Sequence, residues 1–323
     1  MKFSLTDNSA VELLGDPHLG RKFEHGVPLD RRGDRETKQM DKFRSRLNDT
    51  TADYFIMVGD LFDHPHVGYA VVLETFYAIR SAAQKNSRTI FAFMAGNHDL
   101  PRNIQTIGAF DLLATMLEEI ENVMVVTVPT VVGNIALFPW EWDRSAVEQV
   151  TDLEHYTGVD AVVGHWDLKS YGGDDSHLAP VDALLGTFGE EAELYSGHYH
   201  TPGDYKVEGV VVHCTGSMEP YSHAEDPDST IYVTLTLEEL REMDDGDLKD
   251  KCVRVLLDEG DEMPTDLNCM ALTGKRIAAE ETDYSSLDLS SFSWKTLLEE
   301  KLEPLTAEVK EFIHDRLRDD NAD

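Results

Sequence analysis

Five short stretches, each joining a glycine to Asp, Asn or His, constrain the fold of this chain more than any other feature. They are Gly15-Asp16-Pro17-His18, Gly59-Asp60-Leu61-Phe62-Asp63, Gly96-Asn97-His98-Asp99, Gly164-His165 and Gly197-His198-Tyr199-His200. Four directly follow an apolar, β-prone run: Val11 to Leu14, Tyr54 to Val58, Ile90 to Ala95 and Ala161 to Val163. The fifth follows the shorter run Leu194-Tyr195-Ser196. A strand that ends in glycine and then a ligand sets that ligand at the carboxyl edge of a sheet, where open α/β sheets build their sites. The order of donors supplies hard oxygens and imidazoles, the set that suits two adjacent metals.

Between these stretches the period changes from strand to helix. Met40, Phe43 and Leu47 share one face of a helix expected over about 34–47. Val72, Phe76, Ile79 and Ala83 do the same over about 69–85, and a third helix is expected over about 107–121. This alternation predicts an α/β sheet core. The following part is richer in strands: 123–128, 130–139, 160–163, 193–196, a hairpin over 205–213 and a strand over 230–237. Short helices are expected near 145–156 and 180–185. A second mixed sheet packed on the first, with helices outside, is the expected architecture for residues 1–237.

Past Leu237 the composition shifts to 25 acids against 11 basic residues. Asp244 to Asp247 reads as a loop, Cys252 to Leu257 as a strand, and 291–319 as two amphipathic helices broken at Pro304. These helices suit either packing on the chain's own core or docking on a partner. Residues 238–323 are therefore read as an acidic C-terminal region. The formal net charge of −34, from 62 acids against 28 basic residues, opposes nucleic-acid binding except where basic residues concentrate. Cys214, Cys252 and Cys269 show no metal or redox spacing, which fits a reducing compartment. With no signal-peptide core at the start and no membrane-spanning apolar run, the chain reads as cytoplasmic, in the host cytoplasm if phage-encoded.

Taken together and in order, the five stretches resemble the calcineurin-like metallophosphoesterase family over roughly residues 9–236. The resemblance implies a four-layer α/β/β/α sandwich and a site for two divalent metal ions, manganese in the nucleases. It implies that Asp16, His18 and His200 hold one metal, that Asp60 bridges, and that Asn97, His165 and His198 complete the second. His98 would face the scissile phosphate and protonate the leaving oxygen, and Asp99 would orient His98 by a hydrogen bond. Asp63 reads either as a group orienting a ligand histidine or as a helix N-cap.

Within the family, Gly15-Asp16-Pro17-His18-Leu19-Gly20, Ala95 to Asp99, and His198-Tyr199-His200 followed by Thr215-Gly216-Ser217 resemble SbcD-type DNA nuclease subunits in a short, phage-like version. That resemblance implies an SbcC-like ATPase partner, a homodimer and DNA as substrate. Residues 21–46 carry nine basic residues against five acids directly after the first metal motif. Arg21, Lys22, Arg31, Arg32 and Arg35, with Arg102 after the third motif, are therefore candidate DNA-phosphate contacts. The competing reading of that run is a solvated helix face with i,i+4 ion pairs. The alternative function is a stand-alone small-substrate phosphatase or cyclic-nucleotide phosphodiesterase, with the same metals but a closed pocket.

Overall fold

The computed structural model describes residues 1–103, 105–170, 175–265 and 267–277. The chain opens with β1 (Lys2–Ser4) and β2 (Ala10–Leu14), then α1 (Asp34–Asn48), β3 (Tyr54–Met57), α2 (Tyr69–Lys85), β4 (Ile90–Met94), α3 (Ala109–Leu117) and β5 (Val123–Val126). These strands form one sheet in the order β1-β2-β3-β4-β5, parallel from β2 onward, with β1 antiparallel at the edge. The next elements are β6 (Thr130–Val132), β7 (Ile135–Phe138), α4 (Ala146–Val150), β8 (Ala161–Gly164), α5 (Val181–Phe188), β9 (Glu193–Ser196), β10 (Gly203–Val207) and β11 (Val210–Cys214). The second sheet runs β10-β11-β9-β8-β7-β6.

Period-2 alternation explains how the sheets stack. On β3, Phe55 and Met57 point to one side, where they pack with Phe43, Ile79 and Phe110 of the three helices. Ile56, and Val58 just beyond β3, point to the other side and meet Ile135, Leu137 and Val163 of the second sheet. The outer face of that sheet, through Phe138, Val162 and Leu194, packs on Val150, Val181 and Leu184. The layers are therefore helices, sheet, sheet, helices. Phe43, Phe55, Phe91 and Phe110 are fully buried, each worth about 1.5–3 kcal/mol over exposure.

Some local expectations change. The stretch 130–139 is a hairpin, β6 and β7, rather than one strand, because Gly133 turns the chain at φ 58°. The helix expected over 107–121 is the shorter α3. A third sheet follows: β12 (Tyr232–Thr236), α6 (Leu237–Glu242), α7 (Asp245–Leu248), β13 (Cys252–Leu257) and β14 (Ala271–Arg276), in the order β12-β13-β14. Asp245 to Asp247 thus lie in a short helix, not a loop. The composition boundary after Leu237 falls within α6, behind its first residue. One compact unit comprises residues 1–257 and 261–275. The helical pair expected over 291–319 lies outside the described residues. Among the described residues, no helix is long and apolar enough to cross a membrane.

Candidate metal centre

Each of the first four stretches leaves the C-terminal end of a sheet strand: β2 leads to Asp16 and His18, β3 to Asp60, β4 to Asn97, and β8 ends at Gly164 before His165. β9 leads to His198 and His200. The two sheets bring these ends together along one edge. His18, Asp60 and His198 hold the left-handed backbone region, at φ 46°, 51° and 72°. Such a conformation costs a non-glycine residue of order 1–3 kcal/mol and concentrates at functional sites. Two glycines are required by close approach. A Cβ on Gly59 would overlap the His165 ring, and one on Gly96 would overlap the Asp60 carboxylate.

The donors gather in two adjoining groups. Asp16, His18 and His200 form one, and Asp60, His165 and His198 the other, each with candidate ligand atoms within 4.8 Å of one another. Asp60 faces both: its Oδ2 lies 3.6 Å from His18 Nε2 and its Oδ1 3.4 Å from His165 Nε2. Asn97 Oδ1 lies 3.0 Å from both His165 Nε2 and His198 Nδ1. His18 Nε2 and His200 Nε2 stand 3.0 Å apart. His200 Nε2 is 3.9 Å from Asp16 Oδ2.

The outer nitrogens of the rings lie near acceptors, although His18 Nδ1 makes no hydrogen bond among the described residues. His165 Nδ1 pairs with the Val58 carbonyl at 2.8 Å, and His200 Nδ1 lies 3.4 Å from a Glu225 carboxylate oxygen. His18 Nδ1 lies 3.5 Å from Asp63 Oδ1, and His198 Nε2 lies 3.1 Å from Asp167 Oδ1. When the outer nitrogen carries the proton, the inner one presents a lone pair, as histidine ligands to metals do.

A divalent cation fits this donor set. Asp16 is fully buried, and neither of its carboxylate oxygens has a hydrogen-bond partner. A buried, unpaired carboxylate is costly unless it binds a cation or takes up a proton. Burial pushes the Asp16 carboxyl up to about 7 in the metal-free protein. Burial also opposes ionisation of Asp60, but the His165 and His18 imidazoles around it hold its carboxyl well below the usual range. His165 is buried yet raised to about 9, because the Asp60 carboxylate attracts its proton. Without a cation, the imidazoles serve as the counter-charge.

His98 differs from the others. Its side chain is exposed, its ring packs edge-on to His18 with centroids 4.9 Å apart, and its Nδ1 pairs with the Asp63 carbonyl oxygen at 2.6 Å. Its backbone N–H donates to Asp60 Oδ1 at 2.9 Å. Asp99 does not reach the His98 ring. It is fully buried, and its carboxylate accepts the backbone N–H groups of Leu61, Phe62 and Gly96 at 3.1, 2.8 and 2.9 Å. In place of the expected Asp99–His98 hydrogen bond, His98 donates to the Asp63 carbonyl, and Asp99 ties the second motif to the third. Asp63 is no helix N-cap, since α2 begins at Tyr69 after Gly68. Its side chain stands beside His18 and 3.4 Å from Arg21 Nη1.

The basic run is largely satisfied by the chain's own acids. Arg35 is 2% exposed, pairs with Glu219, and donates to the Pro220 carbonyl at 3.1 Å, so it is a core ion pair rather than a phosphate contact. Arg31 holds Asp34 at 3.1 Å and the Lys249 carbonyl at 2.7 Å. Lys38 pairs with Asp250, Arg44 with Asp41 and Glu74, and Arg46 with Glu12. Lys22 and Arg32 remain exposed with no ion pair among the described residues. Arg102 is exposed and lies over the Trp142 ring, 5.1 Å from its centroid.

Sequence reasoning missed four residues beside the centre: Glu225, Asp167, Tyr221 and His177. The Glu225 carboxyl resists burial and is drawn down to about 2 by the bond to His200 and the Tyr221 backbone N–H. The buried Tyr221 hydroxyl donates to the carbonyls of Asp16 at 2.9 Å and Pro17 at 2.6 Å. His177 stacks on Trp140 with centroids 3.9 Å apart, and Trp140 also faces His198 at 5.6 Å. No spacing rule flags these residues, because each meets the centre only through tertiary folding. With the geometry in place, residues 13–202 match the family model described as calcineurin-like phosphoesterase. Comparison with curated proteins gives no match.

Proposed function

The chain belongs to the calcineurin-like phosphoesterase family, and from that premise we propose that it is a two-metal phosphodiesterase acting on DNA, a nuclease subunit of the SbcD type. Membership implies phosphoester hydrolysis, and the paired donor groups suggest divalent metals. The single observation that carries the metal reading is Asp16, a fully buried carboxylate with both oxygens unbonded, aligned with two imidazoles. Asp16, His18 and His200 would hold one ion, Asn97, His165 and His198 the other, and Asp60, which faces both groups, would lie between them. When bound, two divalent cations supply charge neutralisation for the phosphodiester and acidify water.

The chain's own groups do the rest. The Asp63 carbonyl holds the His98 ring by accepting a hydrogen bond from Nδ1–H, which leaves Nε2 free. When Nε2 also carries a proton, an exposed imidazole held in this way can meet a substrate phosphate from solvent and deliver that proton to the departing alkoxide. Glu225 and Asp167 orient His200 and His198 from behind. The exposed Lys22, Arg32 and Arg102 are the candidates to contact backbone phosphates. Manganese as the working metal, an SbcC-like ATPase partner and pairing of two copies follow from the motif resemblance and complete the proposal.

The test is manganese-dependent digestion of end-labelled single- and double-stranded DNA at low salt. The expected result is release of label by the wild type and a fall of about 10²–10⁴-fold in His98→Ala. Turnover of a small aryl phosphodiester with no DNA cleavage, even after addition of the ATPase, would instead assign a small-substrate phosphodiesterase.

A further inference from the structure

A cavity of about 610 Å³ lies between the loop after the first metal motif and the third sheet. Its size falls in the range of small-molecule sites. In a chain of net charge −34, its wall carries Arg21, Lys22, Arg35, Arg254 and Lys275, against Glu24 as the one acid among the described lining residues. Two of these cations are engaged, Arg35 with Glu219 and Arg21 with Asp63. Lys22, Arg254 and Lys275 have no acidic partner among the described residues.

Arg254 is the telling one. β13 alternates, with Val253 and Val255 buried in the third sheet's own core and Arg254 half-buried on the cavity side. A half-buried guanidinium without an acid is poorly compensated unless an anion reaches it. The remaining wall includes the rings of Phe23, Tyr221 and Tyr232, together with polar His25, Ser222, His223 and Thr273. The cavity is also fixed in place. The Leu272 backbone N–H donates to the Gly26 carbonyl at 2.8 Å, and Gly26 has φ 70°, where a Cβ would collide with the Leu272 carbonyl oxygen. Asp226 pins the start of β12 by accepting the N–H groups of Thr230, Ile231 and Tyr232.

We propose that this cavity binds a nucleoside monophosphate unit, with its phosphate on Arg254 and Lys275 and its base against the Phe23, Tyr221 and Tyr232 wall. Tyr221 connects the cavity to the metal centre: its ring lies 5.3 Å from that of His18, and its hydroxyl bonds the backbone of Asp16 and Pro17. The unit is either a free nucleotide or the nucleotide of a strand that flanks the cleaved bond. Only the choice of a nucleotide as the phosphate-bearing aromatic rests on the nuclease reading; the anion site does not.

The test is calorimetric titration of the full chain with dAMP in EDTA, where no metal can hold phosphate. Saturable binding is expected, weakened at least tenfold in Arg254→Glu and in Lys275→Glu, with inorganic phosphate binding more weakly than dAMP. Circular dichroism and metal-dependent turnover of a small aryl phosphodiester, both expected to match wild type, show that the variants are folded. Absence of saturable binding at millimolar dAMP, or equal binding by wild type and both folded variants, overturns the proposal. DNA cleavage without dAMP binding leaves the nuclease reading standing while this site falls; dAMP binding without DNA cleavage does the reverse. Competition by a short single-stranded oligonucleotide identifies the strand as the source, and its failure identifies the free nucleotide.

Discussion

Replacing Asp16 by Asn should stabilise the metal-free protein while removing its response to metal. The carboxylate is fully buried with no hydrogen-bond partner, and burial carries its carboxyl from 3.8 to about 7. That displacement corresponds to a penalty of about 4 kcal/mol on the ionised form, already reduced by the imidazoles of His165 and His200. The sign follows from linkage. Below 3.8 both folded and unfolded states are protonated and the penalty is absent; it grows as pH rises and is complete above about 7. Asparagine removes the charge but leaves a buried amide, at a cost of about 1–3 kcal/mol. The net gain at pH 8 in EDTA is then about 1–3 kcal/mol, or roughly 4 °C in Tm for a mid-range gain. Manganese should reverse the order. At about 100 times Kd it contributes about 2.7 kcal/mol to wild type and far less to the variant. Scanning calorimetry at pH 5 and pH 8, with and without metal, reads all four states. An Asp16→Asn variant less stable than wild type in EDTA at pH 8, or a wild-type Tm indifferent to manganese, would refute the reasoning.

Other consequences follow from single contacts. Arg35→Met leaves the buried Glu219 carboxylate with only the half-exposed Lys42, 3.6 Å away, and should cost about 2–4 kcal/mol in urea unfolding, with much of it recovered in the Arg35→Met, Glu219→Leu double variant; a loss below about 1 kcal/mol would return Arg35 to the surface role that its sequence position suggests. Burial raises Glu12, but bonds from Thr50, Arg46 and Lys2 outweigh it and hold its carboxyl below 4.5. Its stabilisation is therefore complete above 4.5 and lost as pH falls through the lower folded value. Glu12→Gln should flatten this acid limb, and an unchanged limb would contradict the assignment. Burial pushes the Cys214 thiol up to about 12 and Cys269 up to about 11, so both should resist a thiol reagent at pH 8 until urea exposes them. Labelling at native rates would show that they are open to solvent.

The candidate donor cluster was readable because its residues obey a local rule. Asp16, Asp60, Asn97 and His165 each follow an apolar run and a glycine, and the strand-to-loop geometry that the rule implies is what places them on one edge. The basic segment misled because charge was summed along the chain. Arg35, Lys38 and Arg46 find Glu219, Asp250 and Glu12, acids far away in sequence, so the local excess mostly disappears on folding. The same limit hid Glu225 and Asp167, which touch His200 and His198 only after the second sheet has formed. It also hid the third sheet, whose parallel β12–β13 pairing needs the whole of residues 237–251 to return the chain. The role assigned to Asp99 failed for a different reason. An aspartate next to His98 in sequence is well placed to bond its ring, but three backbone N–H groups at the strand ends compete for the carboxylate and take it.

The most direct test of the two-metal claim is to count bound manganese while following turnover of an aryl phosphodiester, in wild type and in Asp60→Asn. The Asp60 carboxylate faces both donor groups. The account predicts two ions per wild-type chain, and in Asp60→Asn fewer than two together with loss of turnover. One ion or none in an active wild type, or an Asp60→Asn variant with two ions and full turnover, would contradict it.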